Sequence, residues 1–492
     1  MKLISFKGRR PERRPAENGY LSVFLALIMT ILLSLCLALV DGARSSGARF
    51  MTEYAMDAGM ESILAEYHRE LLKQYDVLFM DVSYGTALPS LGKTAEHLET
   101  YMNRNLSVTD LPASFLSVDL YGLEVQNIRM TGPCVATDDK GKVFRAQAID
   151  YMYDKYGLTL LSQVQEWETV VKEYGLDTSD VAARRETVEG QINALRGKKL
   201  QISEEEWVTV EVENPADAVN TQRNKGILLL AMEDPGQVSN TGFDISKGAS
   251  HRQLYCGVGP VEERSTKDTI PGLLLFDEYL LEKCSYYGQE LEKSHMKYQV
   301  EYILAGKDND LDNLKSIALR LLLLREAANV LYLFSDSEKK AVVSAIAEAV
   351  SAVILLPELK PLLEASILFA WAFAESVYDV RTLFRNGRIP LLKSKETWHT
   401  GLNSVLSGTE QKGDGGIRDG LSYADYLRVF LKLSGKEQKT MRMLDMVELD
   451  IRKTPGNADF RIDGCVDGVE IIVNVVGKNR DAFEISRSCC YE

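Results

Sequence analysis

Residues 20–40, which read YLSVFLALIMTILLSLCLALV, form a run of 21 residues without a formal charge. At about 1.5 Å per residue, a helix of this length crosses a hydrocarbon layer of roughly 30 Å. A cleaved secretory signal is the alternative, but its apolar region spans about 7–15 residues and ends at a small-x-small site. Here the run is longer and is followed by Asp41, Gly42, Ala43 and Arg44, which favours a retained membrane-spanning helix.

The charges are divided unevenly about this run. Residues 1–19 carry a net charge of +4 and the whole 492-residue chain carries −14, so the remainder carries −18. By the positive-inside rule, the basic flank stays in the cytoplasm. We therefore expect a single-pass protein of the cell membrane with a cytoplasmic N-terminus and an acidic extracytoplasmic body. Because an acidic body repels phosphate backbones, nucleic acid is not an expected partner.

The spacing of apolar residues predicts the fold class. Helical spacing continues past the membrane and predicts one helix from the span to about Gln74. Sheet-forming segments then lie at both ends of the external body, on either side of a long helical insertion. We therefore predict an α+β fold, in which one transmembrane helix continues into a long helix that packs against an extracytoplasmic β-sheet. The predicted strands are residues 77–85, 117–130, 457–464, 469–476 and 482–491, of which the last two form a hairpin about the turn at 477–480.

The same patterns divide the chain into six segments. They are a basic cytoplasmic tail (1–19), the transmembrane helix (20–40), a juxtamembrane helix with the first strands (41–135), a helical hairpin with a loop-rich connection (136–270), a helical bundle (271–450) and the C-terminal strands (451–492). The hairpin comprises residues 161–174 and 181–195, and residues 227–232 resemble a strand within the connection.

Two apolar runs in the bundle, 341–356 and 362–374, are candidates for further membrane spans. Each contains about 14–16 apolar residues, whereas a span needs roughly 20. Glu348 and Glu364 would also cost a few kcal/mol each in lipid. The runs are therefore predicted to be buried helices.

Few residues have the spacing of a catalytic or metal-binding motif. No phosphate-binding Gly-Lys-Ser/Thr loop and no Gly-x-Ser-x-Gly elbow occurs, so we predict a protein that is not an enzyme and has no cofactor or catalytic residue. Six cysteines follow the span and permit up to three disulfides, although unpaired buried cysteines fit equally well. Cys489 and Cys490 are adjacent in a predicted strand, where successive side chains point to opposite faces, so we do not expect them to form a redox pair. The histidines, none of which has a metal-ligand spacing, are His68, His97, His251, His295 and His399.

Asp308, Asp310 and Asp312 alternate like the first ligands of a calcium loop. The glycine expected at the sixth position is replaced by Asn313, and the acid expected at the twelfth is replaced by Leu319. Acidic residues at a helix N-terminus are stabilised by the helix dipole, which accounts for the same pattern. We therefore predict the start of a helix here and no metal site.

The helices between residues 348 and 379 contain the one candidate acidic site. Glu364, Glu375 and Asp379 follow Glu348 on largely apolar segments, with Arg381 and Arg385 nearby. Paired carboxylates can transfer protons. Buried ion pairs with arginines such as Arg320 or Arg325 are the commoner arrangement and are the interpretation we favour.

Residues 17–81, from ENGYLSVFLALIMT to KQYDVLFMD, resemble the opening of an uncharacterised family of single-span proteins of Gram-positive bacteria. More loosely, they are similar to the TadE/TadG-type pseudopilins of tight-adherence (Flp) pilus systems. Pseudopilins carry a glutamate five residues after the processed glycine, whereas Phe24 stands five residues after Gly19, so prepilin-type processing is not expected. Further similarity to the uncharacterised family extends over FRAQAIDYM (144–152), NKGILLLAMEDP (224–235), residues 298–336 and residues 423–448.

The resemblance implies a membrane-anchored extracytoplasmic component of a tight-adherence-type pilus or secretion apparatus, with a structural or assembly role. Its expected partners are the membrane and other proteins of such an apparatus, reached through the span and the juxtamembrane helix. Small residues at Gly42, Ala43, Gly47 and Ala48 would permit close helix approach there, although a tolerant juxtamembrane turn accounts for them equally well. The alternative is an anchored extracytoplasmic enzyme or ligand-binding protein with a site among the acidic helices 348–379.

Overall fold

The computed structural model describes most of the chain outside the extreme N-terminus. Residues 161–174 of the predicted helical hairpin lie outside the described residues, and three other predicted features lie partly outside them: the basic tail, the strand at 117–130 and the C-terminal turn. The described residues are 18–86, 88–107, 121–157, 178–197, 199–203, 206–209, 214–223, 226–232, 234–259, 268–354, 356–407, 420–478 and 482–491.

Helices make up most of the described chain, and several begin at side chains that cap them. Asn309 accepts a hydrogen bond from the Asp312 N–H at 2.8 Å, Asp336 caps the next helix, and Ser422 with Asp425 forms a capping box. The α-helices are α1 (Asn18–Leu64), α2 (Arg69–Tyr75), α3 (Leu91–Leu106), α4 (Asp138–Tyr156), α5 (Thr178–Leu195), α6 (Asp217–Arg223), α7 (Ile227–Ala231), α8 (Ile270–Lys283), α9 (Gln299–Ala305), α10 (Asp310–Ser335), α11 (Ser337–Val353), α12 (Lys360–Phe384), α13 (Leu402–Leu406), α14 (Tyr423–Leu433) and α15 (Lys436–Arg452).

One sheet contains strands from both ends of the external body, as the sequence predicts. β5 is hydrogen-bonded to β1, β2 and β6, and β1 pairs with it antiparallel, with Met80 opposite Val466. β3 and β4 form a separate antiparallel hairpin. The α+β fold class is confirmed. The strands are β1 (Met80–Asp81), β2 (Glu124–Val135), β3 (Lys199–Ser203), β4 (Glu206–Thr209), β5 (Cys465–Val476) and β6 (Ala482–Cys490).

The chain forms two compact units. In described residues, the first unit comprises 18–66, 91–107, 121–131, 469–478 and 482–490. The second unit comprises the described residues of 67–90 and 132–468, together with Tyr491. It contains most of the helical insertion, and the first unit contains α1 and α3.

The second half of α1 forms the core of the first unit. Ala48, Ala55 and Ile63 are buried and recur at intervals that place them on one face of the helix. This face packs against α3, whose Leu98 and Met102 are completely buried. α1 also contacts β6, so the predicted packing of the emergent helix on the sheet is confirmed.

α1 ends earlier than predicted. It stops at Leu64, and α2 starts separately at Arg69, so the prediction of one helix to about Gln74 is wrong. Between them, the His68 N–H donates to the Phe79 carbonyl at 2.8 Å and the His68 Nδ1 accepts from the Leu71 N–H at 3.3 Å. α1 ends here because the His68 N–H bonds to Phe79 instead of to a carbonyl of α1, and the His68 side chain caps the start of α2.

α10 and α12 are the central helices of the second unit. They pack against each other, and α12 buries residues all around its surface, including Phe373 and Leu383. Within the described residues, α1 is the one helix that is long and apolar enough to cross a membrane. The apolar run at 362–374 is a largely buried part of α12, as predicted. The run at 341–356 lies mostly in α11, where only Val343, Ala347 and Ser351 are buried, so the prediction of a buried helix is wrong for this run.

Three predicted strands are wrong or too long. Residues 227–231 form α7, whose last turn is closed by a hydrogen bond from the Met232 N–H to the Leu228 carbonyl at 2.9 Å. Of 77–85, only Met80–Asp81 is a strand, and 457–464 contains turns and the 3-10 helix Ile462–Gly464. Short apolar runs do not distinguish strand from helix, because the outcome depends on whether a partner strand is within reach.

The cysteines form no disulfide. All seven lie within the described residues, and none forms a disulfide. Cys134, Cys284 and Cys465 are buried, where they contribute apolar volume to the core. Of the two interpretations that the sequence left open, buried cysteines without disulfides therefore describe these three residues.

Candidate functional site

The structure brings together two of the four predicted acidic residues. Glu375 and Asp379 lie one turn apart on α12 and are completely buried. Glu364 and Glu348 lie elsewhere, near Lys360, and the Glu348 side chain is 70% exposed. The candidate site is therefore a pair of carboxylates and not a row along the helices.

Lys393 lies between the two carboxylates. Its Nζ donates to Glu375 Oε1 and to Asp379 Oδ1, both at 2.6 Å, and to the Thr397 carbonyl at 3.0 Å. Arg325 Nε donates to the second oxygen of Asp379 at 3.0 Å. Two positive charges thus balance two negative charges in a site without solvent exposure. We call these four side chains the buried charge cluster.

Hydrogen bonds keep Glu375 ionised. Burial by itself would raise its pKa, but contacts with His399, Lys393 and Thr400 outweigh burial and lower the pKa to about 2. The backbone N–H groups of His399 and Thr400 donate to its carboxylate at 2.8–3.2 Å. A carboxylate held this firmly in its charged form is a poor proton carrier near neutral pH.

The predicted ion pair with Arg325 is confirmed, whereas Arg320 donates instead to the Leu304 carbonyl at 3.4 Å. Sequence reasoning missed Lys393. It lies in a loop 14 residues beyond Asp379, outside any helical or strand period, so no spacing connects it to the acids. A lysine in such a loop would ordinarily be exposed to solvent.

The calcium-like segment is a helix start, as predicted. Asp310 is completely buried, and its carboxylate accepts hydrogen bonds from Ser239 Oγ at 2.6 Å and from the Lys297 and Tyr298 N–H groups at 3.0 and 3.1 Å. The Asp312 carboxylate accepts hydrogen bonds from Asn309 Nδ2 and from Lys315 Nζ, both at 3.0 Å. Across the described residues, no group of three or more His, Cys, Asp or Glu side chains is placed to hold a metal ion.

Of the predicted histidines, His399 lies beside the buried charge cluster, with its Nδ1 3.5 Å from Glu375 Oε1 and its ring stacked on Tyr378 at 4.6 Å between centroids. His97 lies elsewhere, with its Nδ1 3.0 Å from Glu66. Burial raises the pKa of Cys489 to about 11, so its thiol is not activated at neutral pH.

Another buried acid has no sequence signal. Glu301 is completely buried on α9, and burial raises its pKa to about 7. Its Oε1 accepts hydrogen bonds from the Tyr287 N–H at 2.9 Å and the Tyr423 hydroxyl at 2.8 Å. The two donors come from residues far apart in the chain, which is why no local pattern identifies the site.

α1 differs in burial along its length, and the part that follows the apolar stretch has one buried side and one exposed side. The apolar stretch that begins at Tyr20 has no buried share, whereas Ala48 is buried and a side chain at Gly47 would clash with the Tyr121 hydroxyl. Gly42 has open space around it, and Phe50 is 67% exposed. Of the four predicted small contact residues, Gly47 and Ala48 therefore already pack within their own chain.

The comparisons with known proteins identify a family. No curated protein and no solved structure matches the chain. A family model described as a family of unknown function (DUF5702) matches residues 205–476, more than half of the chain. The match falls on the helical body and does not include residues 17–81, so the similarity of that passage to pseudopilins is not shown. This chain therefore belongs to the family of unknown function DUF5702.

Proposed function

We propose that the protein is a membrane-anchored extracytoplasmic component of a tight-adherence-type pilus or secretion apparatus, with a structural or assembly role. The supporting observation is the change of environment along α1. Its N-terminal part is apolar and exposed, and its C-terminal part is the core helix of the first unit. One helix of 47 residues, about 70 Å long, thus joins the membrane segment to a folded body without a linker.

The charge distribution supports the orientation in this proposal. The basic residues before the span would remain in the cytoplasm, and the acidic body would lie outside. Positive charges near the membrane ends decide orientation, so the excess at residues 1–19 is the relevant quantity.

The chemistry of the buried charge cluster supports a structural role over a catalytic one. Glu375 and Asp379 are each neutralised by a cation and bound by further donors. Such a cluster fixes the relative positions of α10, α12 and the loop that carries Lys393. The lowered pKa of Glu375 keeps this carboxylate ionised and makes it a poor proton carrier near neutral pH.

The exposed face of α1 is the proposed contact for partner proteins. Gly42 and Ala43 are exposed just beyond the span, and Phe50 and Tyr54 follow about two and three turns later and are also exposed. Small residues allow helices to approach closely in and near lipid, where packing drives association. Exposed aromatic side chains supply contact area at such interfaces.

The proposal is tested with protoplasts and two glycine variants. Protease added outside intact protoplasts should remove a C-terminal tag while the N-terminus stays protected. Gly42→Leu should reduce surface pili or secreted product without loss of protease resistance of the body. Gly47→Leu is unsuitable for this purpose, because the new side chain would displace Tyr121 within the first unit.

Glu375→Gln provides the contrasting variant. If the protein is an assembly component, this change should affect surface pili only to the extent that it unfolds the bundle. A folded Glu375→Gln protein that abolishes the phenotype, together with a Gly42→Leu protein that preserves it, would overturn the proposal in favour of a site in the acidic helices.

A further inference from the structure

Within the buried charge cluster, Lys393 and Asp379 bring an amine and a carboxylate together out of contact with solvent. Lys393 Nζ lies 2.6 Å from Asp379 Oδ1, and neither side chain has exposed surface. Two charges held away from water carry a desolvation cost that their mutual attraction often fails to offset. A neutral amide formed from these two groups would remove that cost, and Arg325 and Glu375 would remain as one cation and one anion.

The fold holds the two groups at reacting distance. Asp379 lies on α12 and Lys393 in the loop that follows it, where the Lys393 ammonium also donates to the Thr397 carbonyl at 3.0 Å. Positioning of this kind gives intramolecular reactions effective concentrations of about 10⁵–10⁸ M. A lysine amine is a nucleophile once it has lost a proton. Asp379 Oδ1 can receive that proton directly, because it already accepts the hydrogen bond from Nζ.

The second oxygen of Asp379 has the surroundings of an oxyanion site. Arg325 Nε donates to Oδ2 at 3.0 Å, and Asn329 Nδ2 donates to it at 3.1 Å. Both donor residues are completely buried, and the Asn329 amide also donates to Ser376 Oγ at 2.9 Å. Fixed donors around an oxygen that gains negative charge stabilise the tetrahedral intermediate of acyl transfer. Oδ2 is therefore placed to carry the charge when a nucleophile adds to the carboxyl carbon.

We propose that the side chains of Lys393 and Asp379 become joined by an amide bond, with Glu375 as the base that assists the reaction. The ion pair is the arrangement before the bond forms. The bond crosslinks α12 to a loop residue 14 positions further along the chain. It needs no cofactor or co-reactant, and its by-product is water. This crosslink is independent of the proposed assembly role, and either proposal can fail without the other.

The reaction is a condensation in which atoms and charges balance. Lys393 gives one proton to Asp379 Oδ1, and the neutral amine adds to the carboxyl carbon while the C=O electron pair moves to Oδ2. Glu375, whose Oε1 lies 2.6 Å from Nζ, takes a second proton from the nitrogen and passes it to Oδ1. The bond between the carbon and Oδ1 breaks, water leaves, and Oδ2 re-forms the carbonyl. Each chain reacts once, so a base that is weak near neutral pH suffices.

A second buried pair, Lys439 and Asp277, lacks this arrangement. The Lys439 ammonium donates to Asp277 Oδ1 and, at 3.2 Å, to the Leu431 carbonyl, and both side chains of the pair are nearly inaccessible to solvent. Among the described residues, no second carboxylate contacts Lys439 and no other side chain donates to Asp277. We therefore expect this pair to remain unlinked, which makes it an internal control.

The test is peptide mapping by mass spectrometry of the full-length protein, purified in detergent and denatured before digestion with trypsin. We expect a branched peptide that joins the segments containing Asp379 and Lys393, lighter than their sum by one water molecule, with no cleavage after Lys393. Lys439 and Asp277 should appear in separate linear peptides. Wild-type protein that yields only linear peptides would overturn the proposal, and so would a bond at Lys439 in place of Lys393.

Variants assign the roles of the residues. Lys393→Arg keeps the positive charge without an amine and should yield only linear peptides. Glu375→Gln should reduce the linked fraction at least tenfold in protein that remains resistant to protease, because a glutamine cannot carry the proton. Lys395→Arg is the matched control, since Lys395 is exposed two residues away, and its linked fraction should equal that of the wild type. An unchanged linked fraction in Glu375→Gln, or loss of the link in Lys395→Arg, would refute the mechanism.

Discussion

Replacing Lys393 by methionine tests the interpretation of the buried charge cluster. The change keeps most of the unbranched side chain and removes its charged end, which leaves Glu375 and Asp379 with Arg325 as the remaining cation in contact. Breaking a buried ion pair by removal of one partner costs about 3–5 kcal/mol, because the other charge stays buried. With a urea m-value of about 3 kcal/mol/M, the midpoint should fall by roughly 1–2 M.

Tryptophan fluorescence is the appropriate assay. The indole N–H groups of Trp371 and Trp398 both donate to the Thr400 carbonyl, at 3.0 and 2.9 Å, and the Thr400 N–H donates to Glu375. Fluorescence therefore reports on the region that the substitution affects. Lys395→Met is the matched control, because Lys395 is two residues away and its side chain is 74% exposed. Its midpoint should stay at the wild-type value.

A second variant and a pH series complete this prediction. Adding Glu375→Gln to Lys393→Met should recover part of the lost stability, since it removes the uncompensated charge. In the wild type, the lowered pKa of Glu375 stabilises the fold at pH values above 4.5, the ordinary pKa of a glutamate. This stabilisation is lost as the pH falls from 4.5 towards 2. Equal midpoints for Lys393→Met and Lys395→Met would refute the reasoning.

Three further predictions follow from other contacts. Because its pKa is raised, Glu301 makes the wild type lose stability as the pH rises from about 4.5 to 7. Glu301→Gln should therefore be more stable than the wild type at pH 8, by roughly 1–3 kcal/mol, and should not be more stable at pH 4. Urea titrations at both pH values measure this difference. Gly47→Leu should make the first unit sensitive to limited proteolysis, whereas Gly42→Leu should leave the digestion pattern unchanged. Asn309→Ala should lower the free energy of unfolding by about 1 kcal/mol through loss of the α10 cap, as measured by urea denaturation.

The sequence predicts those elements whose signal is local. The charge-free run at 20–40 identifies the membrane-length helix, because length and composition alone decide that assignment. Asp310 and Asp312 identify the start of α10, because capping and the helix dipole act within one turn. The alternation in 469–476 identifies most of β5, which has a partner strand on each side.

Elements that depend on distant partners escape this reasoning. The run at 227–232 has the composition of a strand, yet it packs as a helical turn against α10 and α12. The break of α1 after Leu64 depends on Phe79, whose carbonyl binds the His68 N–H. Lys393 and Glu301 are placed by tertiary contacts, which no local pattern predicts. Of the buried charge cluster, the sequence therefore predicted Glu375, Asp379 and the pairing with Arg325, but not Lys393.

α1 runs without a break from its exposed apolar part into the core of the first unit, and this continuity fixes how the two parts are oriented. Each residue inserted between the exposed apolar part and Ala48 would turn the buried stripe by about 100° around the helix axis and shift it by 1.5 Å relative to the span. A single alanine insertion at Gly42 would therefore rotate the first unit about the helix axis, relative to the exposed apolar part, while the contacts inside the unit stayed intact. Seven inserted residues make nearly two full turns and would restore the original direction about 10 Å higher. The number of residues between the apolar part of α1 and Ala48 therefore sets the direction in which the first unit faces.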